Sequence, residues 1–138
     1  LSRFDKVDPY GGSFRAKLAV ALAYTPLVIG TNDVGKVWAV GMDASGNIVK
    51  GAGASGIVGV ICAVRAMAIG EPIDVMVDGE IADFALQAGT AAAAGTRYYG
   101  VAADGTYAVT ATGTPLGFTV EASRFVVHLN RTIALVTT

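Results

Sequence analysis

Hydrophobic and polar residues alternate in short stretches along most of this chain. Ile73 to Asp78 places Ile73, Val75 and Val77 on one face and Asp74, Met76 and Asp78 on the other, the period-two pattern of a half-buried strand. Asp78-Gly79 is a two-residue hairpin signal and leads into Glu80-Ile-Ala-Asp-Phe. Asp104-Gly105 repeats the arrangement between Arg97-Tyr-Tyr-Gly-Val-Ala-Ala and Thr106-Tyr-Ala-Val-Thr. Val37 to Asp43 and Ile48 to Lys50 predict a further hairpin, with Gly46 available for positive φ. Gly56 to Met67 is almost continuously apolar and predicts one long strand covered on both faces, turned by Gly70-Glu-Pro. Leu116 to Glu121, Phe125 to Leu129 and Thr132 to Val136 supply the last strands.

Two stretches follow other rules. Phe14, Leu18 and Leu22 are spaced as on a helix face, yet Phe14, Ala16, Leu18, Val20 and Leu22 also alternate, and periodicity alone does not separate the two for so short a run. Ala88 to Thr96 is a low-complexity loop or short helical turn. Short strands, tight turns and the absence of a long helical pattern predict an all-β fold, a small antiparallel β-barrel or sandwich. Residues 1–30 read as an extended N-terminal arm and connecting segment, and 31–138 as the β-barrel domain.

Composition changes the picture in one respect. Of 138 residues, 53% are hydrophobic and 15% charged, against about 25% charged in ordinary domains, and the mean hydropathy is +0.55. Extensive apolar surface points to subunit contacts. No stretch supplies the roughly 20 apolar residues of a spanning helix, since the runs from Leu18 and from Gly105 are broken by proline and glycine. The first residues lack a signal-peptide core. The net charge of −1, with Lys and Arg scattered, does not suit a nucleic-acid partner.

Candidate chemistry is sparse. Asp74, Asp78, Glu80 and Asp83 are the acids that a carboxylate-dependent hydrolase or a Ca²⁺ site would use; as the polar face of a hairpin they need no chemistry. His128 is the single histidine, and no Gly-x-Ser-x-Gly elbow accompanies it. Gly51, Gly53 and Gly56 match a bare GxGxxG, but a β-rich run follows where the fingerprint needs a helix. Cys62 is the single cysteine, read as a buried, inert thiol, and Asn130-Arg-Thr132 is a chance glycosylation triplet. Trp38, Tyr98 and Phe118 are assigned to the core. Phe4, Tyr10, Phe14 and Arg15, in or beside the arm, are the candidate interface residues. No catalytic residue, metal or cofactor is expected.

Tyr10-Gly-Gly-Ser-Phe-Arg-Ala, Val40-Gly-Met-Asp-Ala-Ser-Gly-Asn-Ile-Val-Lys-Gly-Ala-Gly and Gly56 to Phe84 together resemble the capsid decoration (cement) proteins of tailed bacteriophages. The resemblance runs from about Tyr10 to Val127. It implies a structural virion protein, not an enzyme, that binds the exterior of an expanded head and clamps neighbouring subunits of the phage major capsid protein, commonly as a homotrimer. It carries over no catalytic residues; from the charge and hydropathy above, no nucleic-acid or membrane partner is expected. A head-fibre, tail or adhesion module binding a receptor or glycan is the alternative.

Overall fold

A computed structural model describes residues 12–24, 33–82, 93–109, 113–122 and 124–129. Among them there is no helix; ten strands form two five-stranded sheets. The first contains β1 (Ser13–Lys17), β2 (Val37–Met42), β3 (Ile48–Gly53), β4 (Gly59–Cys62) and β5 (Pro72–Met76), in the order β1-β5-β4-β2-β3. The second contains β6 (Asp78–Ala82), β7 (Arg97–Gly100), β8 (Tyr107–Ala108), β9 (Thr114–Glu121) and β10 (Arg124–His128), in the order β6-β10-β9-β7-β8. All pairs are antiparallel except β2–β3, which is irregular: Val40 and Met42 face Gly51 and Gly53 in the parallel sense, with register breaks on both sides of Gly41. The expected turn between them is present, closed by the Asp43 N–H on the Asn47 carbonyl and by Asp43 Oδ1 accepting from the N–H groups of Ser45 and Asn47.

The sheets enclose an apolar layer. Val37, Ala39 and Val60 from the first meet Tyr98, Leu116, Phe125 and Val127 from the second. Tyr98, Tyr107 and Phe125 form a tilted aromatic trio with ring centroids 5.6 to 6.0 Å apart, within the range where aromatic pairs contribute beyond area burial. The first sheet is covered on its other face too, where Trp38, Val40, Ile61, Ile73 and Val75 pack with Leu18 and Leu22. That double coverage is why β2 reads as an unbroken apolar run.

Residues 13–22 therefore belong to the β-domain. β1 pairs with β5 from Ser13 opposite Met76 to Lys17 opposite Pro72, and Leu18 and Leu22 are buried. The strand expected over Gly56 to Met67 is shorter: ladder pairing is confined to β4, and a bend follows.

Asp78-Gly79 makes no hairpin. β5 pairs with β1 and β4, whereas β6 pairs with β10, so the chain passes from one sheet to the other at this dipeptide. The Gly12 carbonyl accepts from both Val77 and Asp78 N–H, at 2.8 and 3.0 Å, and the Val77 carbonyl accepts from Leu129. A corner of this kind, where a strand changes sheets, joins the layers of a sandwich. The hairpin predicted at Asp104-Gly105 is present, with Tyr99 opposite Ala108 and Gly100 opposite Tyr107.

Candidate functional site

The expected acidic group is divided between the sheets, and each described member has a basic partner. Asp74 on β5 takes the Arg15 guanidinium at 2.9 Å, Asp78 on β6 meets His128 Nδ1 at 3.0 Å, and Glu80 meets Arg124 at 3.0 Å. Glu71 is held by Arg65 at 3.1 Å and accepts the Ala68 N–H. The Arg15 hydrogen bond and charge hold Asp74 below the ordinary carboxylate range, opposite to the upward shift that equips a carboxyl as a general acid. Among the described residues, no group of three or more His, Cys, Asp or Glu gathers as metal ligands do.

Other candidates are absorbed locally. Burial pushes the Cys62 thiol up, which disfavours the nucleophilic thiolate. Ser55, in the glycine-rich loop, accepts from the Met42 N–H and donates to the Gly56 carbonyl. Asp33 gathers Lys50 Nζ at 2.7 Å and the Ala23 N–H at 3.0 Å, and Lys50 lies 4.0 Å from the Trp38 ring centroid. This cluster pins residues 23 and 33 to the first sheet.

Of the candidate interface residues, Phe14 is half-buried and packs on both apolar layers, while Arg15 projects from β1 at the sheet edge. Arg15, Val64 and Arg65 line a cleft of about 230 Å³ with Met67, Ile73 and Asp74, and Val64 is 92% exposed. Phe4, Tyr10 and Asp83 lie outside the described residues.

The outer face of the second sheet is the feature missed by sequence reasoning. Phe118, assigned to the core, is 43% exposed there beside Val120. The reason is a register break: Tyr98 faces Gly117, but Tyr99 faces Pro115. The break shifts the phase of β9, so Leu116 and Thr119 point inward and Phe118 outward. Gly117, at φ +154°, permits it, because a Cβ would lie 1.9 Å from the Val126 carbonyl oxygen. A glycine inside a strand is the available signal of such a bulge. Inward-facing Thr119 accepts the Thr96 N–H at 3.1 Å and donates to the Ala93 carbonyl.

Phe118, Val120 and Val126 form the middle of this face, above a shallow groove of about 670 Å³ whose rim carries Asp78, Glu80, Arg124 and His128. Arg97 and His128 border an adjoining cleft. An apolar centre with a charged rim is the usual anatomy of a protein–protein contact; the small-molecule alternative would want an enclosed, convergent site.

No family model and no curated protein matches the chain. Among solved structures, a chain from Mycobacterium phage Patience is similar in fold, with a TM-score of 0.70 and 22% identity, over 93% of this chain and 96% of that one.

Proposed function

We propose that this protein is a structural component of a phage virion that binds the exterior of the expanded capsid and stabilises it by clamping neighbouring subunits of the major capsid protein, acting as a homotrimer. The observation that carries the reading is the fold shared with a phage chain over nearly the full length of both, which agrees with the resemblance to decoration proteins. The physics is compatible. Two sheets packed through one apolar layer, the first covered again on its far side, make a stiff body, as a clamp requires. A static role uses the paired acids only as solvated surface charge, and no cofactor enters.

On this reading the capsid contacts lie at the β1 edge and in the residues before it. Phe4 and Tyr10 supply aromatic anchors; Arg15 on the edge strand β1 and the exposed Val64 line one cleft and extend the contact.

The test is co-sedimentation of the purified protein with empty heads of its own phage, before and after expansion. Saturable binding to expanded heads, at a fixed copy number, is the expected result. Absence of binding to both forms overturns the reading and brings forward the receptor- or glycan-binding module, to be tested by a glycan screen.

A further inference from the structure

One register row across the second sheet has an order that selects its partner. Val126 on β10 lies opposite Glu80 on β6 and opposite Phe118 on β9, and Phe118 lies opposite Arg97 on β7. Residues directly opposite in a ladder share a face. The row therefore reads acid, apolar, apolar, base, its ends about 14 Å apart at three strand spacings. Arg97 is exposed and has no ion pair among the described residues.

We propose that this outer face docks against the same face of a second copy of the chain, about a two-fold axis parallel to the strands between β9 and β10. Such an axis reverses the row. Glu80 then faces Arg97 of the other copy, Phe118 faces Val126, and symmetry makes each contact twice. A two-fold axis across the strands would instead set Glu80 against Glu80 and Arg97 against Arg97, and like charges in contact oppose docking. The charge order thus favours one symmetric arrangement. Glu80 Oε1 already lies 3.0 Å from Arg124 Nε within its own chain, an ion pair without a well-directed hydrogen bond, and a carboxylate has acceptor sites for a second guanidinium group. The patch is narrow, which places the contact at the small end of interface sizes and its affinity nearer micromolar than nanomolar.

The proposal is independent of capsid binding and is tested without heads. Sedimentation velocity on the full chain, from about 10 µM to about 1 mM to suit such a contact, is expected to show reversible association through this face. Arg97→Glu and Glu80→Arg should each raise the dissociation constant at least about tenfold, and Phe118→Glu should do the same. The double variant E80R/R97E should recover association, because reversing both ends restores the pairing. Circular dichroism controls for folding, and the double variant reads the contact through a gain. A chain that stays monomeric throughout overturns the proposal. So does an oligomer, trimers included, that is indifferent to these substitutions, or a double variant no better than the singles.

Discussion

Ala39, on β2 of the first sheet, donates its N–H to the carbonyl of Gly105, in the hairpin loop of the second, at 2.9 Å. The approach leaves no room for a side chain: a Cβ on Gly105 would lie 2.3 Å from the Ala39 carbonyl oxygen. The same loop gives the Ala102 carbonyl to the Ala52 N–H at 2.8 Å. One tight turn therefore joins the two layers through backbone alone. Gly105→Ala meets both a left-handed φ of +76° and this clash, and is expected to lower unfolding free energy by about 2–4 kcal/mol. Gly46→Ala, at φ +80° with open space around it, should cost only about 1 kcal/mol. Urea denaturation of both variants separates the contact from the conformational effect; equal losses would mean that the close approach is unimportant.

Lys50 is placed to stabilise the first sheet in two ways, since its ammonium pairs with Asp33 and lies over Trp38. Asp33 and Lys50 are mostly buried, with 16% and 24% of their side chains exposed. Lys50→Met keeps the apolar stem but leaves Asp33 with the Ala23 N–H and no cation. The expected loss is roughly 1–3 kcal/mol. Trp38 is the single tryptophan, so its emission spectrum reports the change directly. An unshifted spectrum with unchanged stability would show that the cation contributes nothing there.

Glu71 gives the chain an acid-sensitive turn. Arg65 and the Ala68 N–H hold its carboxyl below the ordinary 4.5. A carboxylate whose folded value is lowered stabilises the fold above its unfolded value, and that contribution disappears as pH falls through the folded one. Glu71→Gln keeps an acceptor for Ala68 but loses the charge. Its melting temperature should lie below that of the wild type at pH 7, and the two should converge as the pH drops below 4.5. A gap that persists in acid would assign the effect to packing.

Much of the fold is legible in local pattern. The alternation in β5 and the Asp-Gly signal between β7 and β8 locate real elements, because a half-buried strand and a tight hairpin are determined by neighbouring residues. Asp78-Gly79 carries the same signal and does something else. Which sheet β6 joins depends on β10, about fifty residues away, and on the Gly12 carbonyl that takes the Val77 and Asp78 N–H groups. Phe118 turns outward through a bulge set by β7, so the exposed face could not be assembled from composition. Asp74 and Asp78 look like one acidic face in the sequence, yet their partners, Arg15 and His128, lie on strands of different sheets. Long-range pairing decides each of these cases.

Residues 12–22 are tied to the β-domain by the same kind of contact. Gly12 accepts the two N–H groups at the sheet corner, Ser13 opens the β1 ladder, and Leu18 and Leu22 are each 1% exposed in the core. A capsid-binding segment that can be removed without loss of the fold, as the proposed function would use, therefore excludes residues 12–22. On the proposed function, removal of residues 1–11 is expected to weaken binding to expanded heads, with Phe4→Ala and Tyr10→Ala each reproducing part of that loss. Leu22→Ala should instead destabilise the domain by about 2–5 kcal/mol, the range for a truncated buried leucine. Calorimetry and head co-sedimentation on the same variants distinguish the two roles. Undiminished head binding by the shortened chain would move the proposed capsid contacts onto the β-domain itself, with Arg15 on β1 and Val64, which line one cleft, the next residues to change.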